Sequence, residues 1–296
     1  MNSSVLTETE PQLIAETRHF IDLPSTTLHY AQCGEGEPLV MVPATISRID
    51  DWLPFIHFMG QRYRSHFFEL PGQGGSTPFK EPFSSDLVAE AIEQFADAMG
   101  FERIALMGFS FGGILTLKTL QRLGDRVSHV IMLSPFVSQT GLRHNAIKLR
   151  AVKAAAASAG HPLGRGAWLR IMRDPRAVDA FVWFATVIGK YETTADLRSR
   201  LLGFSDSAFD TLRSQVRELL SITDEDLAGP YTQPCFFGMS VNDPLLDYET
   251  SYRFVSEQFS NAIVEQFDFP YHCPSEPFTL EQLNRDYHQL LDIFSE

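Results

Sequence analysis

Short apolar runs alternate along this chain with longer stretches in which apolar residues recur at helical spacing. The runs that predict strands are TTLHYAQC (26–33), PLVMV (38–42), RSHFFEL (64–70), RIALMG (103–108), HVIMLS (129–134), PCFFGMS (234–240) and AIVEQFDF (262–269). The stretch from 84 to 100 predicts a helix with Ser84, Ser85 or Asp86 as its N-cap. Strands that alternate with helices in this way are typical of a mostly parallel α/β sheet with helices on both faces.

The strand pattern is interrupted between residues 137 and 229, where alanine-rich and arginine-bearing helical segments replace it. We therefore predict one α/β core, formed by residues 1–136 and 230–296, with an all-helical cap inserted at 137–229. The insertion is unusually aromatic for a surface structure, which indicates an apolar roof over the core. Packing within the insertion is the alternative for each aromatic residue. The four that we single out are Trp168, Phe181, Trp183 and Phe184.

Charge and composition exclude several classes of partner. The net charge of -13, with no run rich in lysine or arginine, argues against nucleic acid. No stretch of 18 uninterrupted apolar residues occurs, so no membrane span is expected. The N-terminal segment MNSSVLTETEPQL lacks the basic and apolar regions of a secretion signal, and a cytoplasmic location is expected. The 3 cysteines are far apart and predict neither a zinc site nor a disulfide framework.

The segment LMGFSFGGILTL (106–117) places Ser110 between Gly108 and Gly112, where a strand pattern gives way to a helix pattern. Small residues on both sides permit a sharp bend that holds the residue at its apex in a left-handed conformation. Such a bend presents the hydroxyl at a helix N-terminus, where free N–H groups favour developing negative charge. Ser110 is therefore a candidate nucleophile, and a purely structural turn is the alternative.

The pentapeptide GFSFG matches the pattern G-x-S-x-G, and in this context the chain resembles the α/β-hydrolase family. In that family the nucleophile is followed by an acid after a late strand and by a histidine after the last strand. The resemblance implies Ser110 as nucleophile, Asp243 as acid and His272 as base. Asp247 is a rival for the acid, although it could instead begin the next helix.

Two further segments fit the resemblance with departures. FFELPGQGGSTPF resembles the family turn D-x-P-G-x-G-x-S, with Glu69 in place of the usual aspartate. In VMVPATISRIDDW, Pro43 and Ala44 stand where relatives commonly carry His-Gly. Because proline has no N–H, the resemblance implies an oxyanion hole formed by the backbone N–H groups of Thr45 and Phe111, with Ala44 as a further candidate.

Together these residues predict a serine hydrolase that cleaves an apolar acyl substrate, a carboxylic ester first of all, through an acyl-enzyme. A thioester, a lactone or a carbon–carbon bond could be cleaved by the same residues. A ligand-binding protein with little activity is the alternative from a different class. The substrate is expected to be a small apolar acyl compound that contacts the four aromatic residues of the insertion.

No cofactor or metal is expected, since GQGG (72–75) lacks the Lys-Ser/Thr of a phosphate loop and the spacing of a dinucleotide site. The sequence makes no prediction of oligomeric state.

Overall fold

The fold is built on one eight-stranded sheet, and the computed structural model describes residues 15–143, 146–187, 197–272 and 278–294. The strands are β1 (Thr17–Asp22), β2 (Thr27–Cys33), β3 (Pro38–Val42), β4 (Arg64–Phe68), β5 (Ile104–Phe109), β6 (Val127–Leu133), β7 (Cys235–Ser240) and β8 (Ala262–Phe267). Their order across the sheet is β1-β2-β4-β3-β5-β6-β7-β8. Strand β2 pairs antiparallel with β1 and β4, and the other neighbours are parallel. The predicted α/β fold with a mostly parallel sheet is confirmed.

Helices pack on both faces of the sheet. The helices are α1 (Ile49–Gly60), α2 (Ser85–Ala98), α3 (Gly112–Leu123), α4 (Ala146–Gly160), α5 (Pro162–Arg173), α6 (Pro175–Val187), α7 (Leu197–Leu202), α8 (Asp206–Leu219), α9 (Tyr248–Gln258) and α10 (Leu280–Asp286). Successive side chains of a strand point to opposite faces. Leu39 and Met41 of β3 accordingly pack with α1 and α10, whereas Val40 and Val42 pack with α2, α3 and α9.

Helix α2 begins where the sequence offers a hydroxyl cap. Of the three candidate residues, Ser84 is the N-cap, and its side chain accepts a hydrogen bond from the Leu87 N–H at 3.3 Å. The helix then buries Val88, Ile92 and Phe95 along one stripe against the sheet. This stripe has the helical period of the sequence pattern, because residues three or four positions apart share one face.

The seven predicted strands all occur, and the sequence pattern missed one more. Strand β1 lies at the edge of the sheet and is exposed along most of its length. An edge strand with few buried positions has no apolar alternation from which it could be predicted. Between β6 and β7 the structure has the five helices α4 to α8, and the described residues of 137–229 add no strand to the sheet. The division at 137 and 229 into core and cap stays a prediction.

The parallel strands direct their carboxyl ends to one edge of the sheet. Strand β3 lies between β4 and β5, so the connections that follow β3 and β5 diverge at this point. Crevices for ligands form at such points, outside the carboxyl ends of the strands. The loops after β3, β5, β6, β7 and β8 all meet at this edge. Within the described ranges, no helix is both long and apolar enough to cross a membrane.

Candidate active site

Ser110 lies at the apex of the turn between β5 and α3. Its φ is 53°, in the left-handed region that residues other than glycine rarely adopt. Glycine is required on both sides of it. A Cβ at Gly112 would lie 2.6 Å from the Val42 carbonyl oxygen, and a Cβ at Gly108 would collide with the Thr116 hydroxyl. The two glycines thus allow α3 to approach the sheet closely while the turn carries the Ser110 side chain beyond the strand ends.

A continuous hydrogen-bonded chain joins Ser110, His272 and Asp243. The His272 Nε2 lies 2.9 Å from the Ser110 Oγ, and the His272 Nδ1 lies 2.7 Å from the Asp243 Oδ2. A carboxylate oxygen accepts hydrogen bonds, so the imidazole carries its proton on Nδ1. Nε2 is then free to accept the hydroxyl hydrogen of Ser110. A hydroxyl, a base and an orienting acid are within mutual reach, as covalent catalysis requires.

The two candidate acids occupy different environments. Asp243 is fully buried, and its Oδ1 accepts the N–H groups of Leu245 and Leu246 at 2.8 and 2.9 Å. Asp247 is instead the N-cap of α9, where its Oδ1 accepts the hydroxyl and the N–H of Thr250 at 2.8 and 3.0 Å. These two bonds hold the pKa of Asp247 below its usual range. Asp243 therefore contacts His272, while Asp247 begins the following helix.

Two backbone N–H groups beside Ser110 are available as donors. Thr45 lies in the loop after β3, and Phe111 directly follows Ser110 as the N-cap of α3. Among the hydrogen bonds of the described residues, neither the Thr45 N–H nor the Phe111 N–H reaches a protein acceptor. Unsatisfied N–H groups at a helix N-terminus and in a neighbouring loop are the groups that an oxyanion hole needs.

The cavity that contains Ser110 and His272 is lined chiefly by aromatic rings. Its volume is about 290 Å³. The aromatic lining residues are Trp52, Phe55, Phe109, Phe267, Phe269, Tyr271, Phe278 and Tyr287. Among the described residues of its wall, Asp51 carries the single carboxylate, and none is lysine or arginine. An apolar, uncharged group suits this wall better than an anion.

The aromatic residues of the insertion lie elsewhere. Trp168 packs against a small cluster of α5 and α8 side chains, and its Nε1 donates to the Ser158 hydroxyl at 2.8 Å. Trp183 on α6 is 59% exposed. The cavity wall includes neither tryptophan. Phe181 and Phe184 also belong to α6, but their side chains lie outside the described residues. Contact of these four residues with substrate stays a prediction.

The described residues contain no group of three or more His, Cys, Asp or Glu side chains arranged to hold a metal ion.

A family model described as the alpha/beta hydrolase fold matches residues 37–158. Solved structures agree over nearly the whole chain. A putative lipase from Acinetobacter baumannii superposes with a TM-score of 0.71 and 12% identity, covering 93% of this chain and 91% of that one. The chain is an α/β-hydrolase-fold protein. Naproxen esterase from Bacillus subtilis shares the fold with a TM-score of 0.63 and 17% identity, over 95% and 92% of the two chains.

Curated relatives of this α/β-hydrolase-fold protein align with less than half of its length. An (E)-2-((N-methylformamido)methylene)succinate hydrolase from Acinetobacter baylyi is 29% identical over 126 residues, which are 42% of this chain and 48% of that protein. The human (Lyso)-N-acylphosphatidylethanolamine lipase is 30% identical over 141 residues, 46% and 41% of the two chains. The chain thus spans less than half the length of these relatives.

Glu69 fills the position of the family aspartate in the turn after β4. Its carboxylate accepts the Gly75 N–H at 2.6 Å and the Ile49 N–H at 3.3 Å, and it lies 2.8 Å from the His29 Nδ1. The extra methylene lets one carboxylate join its own turn to the start of α1. In this α/β-hydrolase-fold protein, Glu69 is therefore a structural residue that holds the loop containing Thr45 from its far end.

The sequence patterns did not identify the aromatic residues that form the cavity wall. Several are close in sequence to a predicted site residue: Phe109 precedes Ser110, Phe269 and Tyr271 precede His272, and Trp52 follows Thr45 by seven positions. The Phe109 ring packs 5.1 Å from the His272 ring. Nearness to the carboxyl end of a strand was the signal that could have identified Phe109, Phe269 and Tyr271. That signal is absent for Trp52, ten residues after β3, and for Phe278, eleven residues after β8.

Proposed function

We propose that this protein is a serine hydrolase that cleaves an apolar acyl ester through an acyl-enzyme. The observation that carries the proposal is the hydrogen-bonded chain from the Ser110 Oγ through His272 to Asp243. Ser110 attacks the carbonyl carbon while His272 Nε2 takes its proton, and Asp243 stabilises the resulting imidazolium. His272 then gives the proton to the leaving alkoxide, and a water molecule, deprotonated by His272, releases the acid and regenerates Ser110.

The negative charge that develops on the carbonyl oxygen requires donors. The N–H groups of Thr45 and Phe111 are proposed to bind it, since neither has another protein acceptor among the described residues. Loss of one such donor in another hydrolase costs about 3–4 kcal/mol of transition-state stabilisation. Thr45 takes this role in the proposal because Pro43 has no hydrogen to donate.

The substrate class follows from the wall of the cavity. Eight aromatic residues favour an apolar acyl group, and the described wall contains the carboxylate of Asp51 but no lysine or arginine, which disfavours an acyl chain that ends in a carboxylate. The succinate derivative in the name of the Acinetobacter baylyi relative is for that reason a poor guide to this chain. An uncharged aliphatic or aryl ester fits the wall best.

Labelling with a fluorophosphonate tests the proposal directly. We expect rapid covalent labelling of the wild-type protein and none of Ser110→Ala, together with hydrolysis of p-nitrophenyl butyrate by the wild-type protein alone. Circular dichroism of both proteins confirms that they are folded. A folded wild-type protein that neither labels nor hydrolyses any ester in a series of graded acyl length would instead be a ligand-binding protein.

A further inference from the structure

One side-chain amide joins the helical insertion to the loop proposed to bind the oxyanion. Gln73 lies in the turn after β4 and is 4% exposed. Its Nε2 donates to the Thr45 carbonyl oxygen at 2.8 Å and to the Oε1 of Gln215 on α8 at 3.4 Å. Gln215 is fully buried. The chain of contacts therefore runs from the insertion, through one amide nitrogen, to the peptide of Thr45.

Hydrogen-bond chemistry fixes the direction of both amides. A carbonyl oxygen only accepts, so Gln73 must present its NH₂ group to Thr45. That group has two hydrogens, and the second one goes to Gln215, which must in turn present its oxygen. If the Gln73 amide were flipped, its oxygen would face two other acceptor oxygens. If the Gln215 amide were flipped, its NH₂ group would face the NH₂ group of Gln73. The contact is thus specific to this pair of orientations.

Ile46 packs against apolar side chains of α5 and α8, and Glu69 binds the Ile49 N–H beyond the loop. Among the described residues, the bond from Gln73 is the only hydrogen bond to the loop of residues 43–47 itself. The loop follows β3, and its sequence Pro-Ala-Thr-Ile-Ser offers no glycine turn to fix it. Orientation of the Thr45 carbonyl constrains the backbone torsions of Thr45 and, with them, the direction of its N–H. An oxyanion donor is effective only when it is oriented before the charge develops.

The pair also leaves buried polar atoms without partners. Within the described part of the chain, the Gln73 Oε1 and the Gln215 Nε2 are both buried and make no hydrogen bond. Two apolar side chains in these positions would avoid that penalty. A role in orienting Thr45 explains why amides are present where stability alone favours apolar groups.

Neighbouring contacts of α8 provide the comparison. Thr211, Gln215 and Glu218 lie on one face of α8 and all contact the core. The Thr211 hydroxyl donates to the Pro71 carbonyl oxygen at 2.9 Å, and Glu218 accepts the Ser85 N–H at 2.8 Å. Both bonds attach the insertion to the core without touching the loop of residues 43–47. Only the central contact reaches Thr45.

We propose that Gln73 and Gln215 are positioning residues, through which the docked insertion orients the Thr45 N–H for catalysis. The inference rests on the proposed serine hydrolase. It makes the insertion part of the catalytic apparatus by way of α8, in addition to any contact that the insertion makes with substrate.

The test compares Gln73→Met and Gln215→Met with Thr211→Val, which removes an equally buried bond between α8 and the neighbouring Pro71. On a short p-nitrophenyl ester we expect kcat to fall about 10–100-fold in Gln73→Met and about 3–10-fold in Gln215→Met, with KM within about two-fold of wild type. Thr211→Val should keep kcat within about two-fold. The affinity for a trifluoromethyl ketone, which forms an oxyanion on Ser110, should fall by the same factors, whereas the affinity for the parent methyl ketone should not.

Thermal unfolding of the three variants separates docking from positioning. If the methionine variants lose no more kcat than Thr211→Val at a matched decrease in Tm, the glutamines are docking contacts only and the inference is wrong, while the chemistry of Ser110 stands. If the methionine variants do not fold, Gln73→Leu and Gln215→Leu are measured by the same ketone pair. A folded wild-type protein that reacts with neither ester nor fluorophosphonate would overturn the proposed function and this inference together.

Discussion

The strand ends of the sheet and the helical insertion both contain aromatic residues, yet these residues have different surroundings in the two regions. At the strand ends, the Phe109, Phe269 and Tyr271 side chains line the cavity that contains Ser110. In the insertion, Trp168 packs among the helices and Trp183 is largely exposed. The two groups of aromatic residues differ in their position relative to the carboxyl ends of the strands. In this protein, proximity to the strand ends distinguishes the aromatic residues that line the cavity around Ser110 from those that do not.

The largest effect that can break this comparison concerns the acid. Asp243→Asn keeps the shape of the side chain but removes the charge that orients and stabilises His272, and kcat should fall by about four orders of magnitude, as in another triad hydrolase. Asp247→Asn should change kcat less than about two-fold, because asparagine is as good an N-cap as aspartate. Steady-state kinetics with circular dichroism as the folding control measures both. If Asp247→Asn is inactive and Asp243→Asn is fully active, the acid is Asp247 at the start of α9 and our assignment is wrong.

A second effect concerns pH and stability, and it contrasts the buried imidazole of His66 in the core with the exposed charged side chains of the insertion. His66 on β4 is 1% exposed, and neither ring nitrogen has a partner among the described residues. Burial, with a smaller effect of Arg64 and His19, lowers the pKa of His66 to about 4. Above about pH 6.5 the ring is neutral in both states and protonation has no effect on stability. Between about pH 6.5 and 4 only the unfolded state binds the proton, so the free energy of unfolding falls as the pH falls.

The loss at pH 4.5 attributable to His66 should be about 2–3 kcal/mol relative to pH 7. Urea unfolding at the two pH values measures it, and His66→Leu should reduce the difference between them by that amount. Contributions of other groups cancel in the comparison of variant with wild type. An unchanged difference in His66→Leu would mean that His66 does not titrate on unfolding.

Substrate preference provides an effect of intermediate size. Trp52→Leu removes an aromatic side chain of the cavity wall, and kcat/KM for a phenylacetyl or hexanoyl ester should fall about 10-fold or more relative to an acetyl ester. If the described wall is the acyl site, Trp183→Leu should change this ratio less than about two-fold, because Trp183 lies outside that wall. Contact of Trp183 with substrate, which the sequence predicts, requires a larger change. A larger change of the ratio in Trp183→Leu would assign the acyl site to the insertion and reverse the comparison.

The smallest expected effect lies within the insertion. The Arg165 Nε and NH2 donate to the two Asp210 carboxylate oxygens, each at 2.8 Å, at a partly exposed position. The Asp210 hydrogen bonds raise the pKa of Arg165. Even so, water and salt screen such pairs. Asp210→Asn should lower the free energy of unfolding by less than about 1 kcal/mol, and by less again in 1 M NaCl. A salt-independent loss above that value would show that the pair is effectively buried.

Short-range patterns in the sequence were sufficient to predict seven of the eight strands and the turn at Ser110. The periods of apolar residues predicted seven strands, and the glycines around Ser110 predicted a strained turn that the φ of 53° bears out. Strand β1 was not predicted because an exposed edge strand has no alternation of apolar and polar residues. These features depend on residues that are close together in the chain. Backbone sterics select glycine at a tight turn, and burial of one face selects apolar residues at regular spacing.

The tertiary structure alone decided which distant residues meet. The sequence left both Asp243 and Asp247 open, and only the packing of β7 against β8 brings the Asp243 carboxylate to 2.7 Å from His272. It likewise brought Gln73 and Gln215, 142 positions apart, into contact beneath Thr45. A contact between remote residues is fixed by the relative placement of whole elements, which depends on the sum of many weak packing interactions. The sequence determined the strands and the nucleophile turn, and their assembly determined the site.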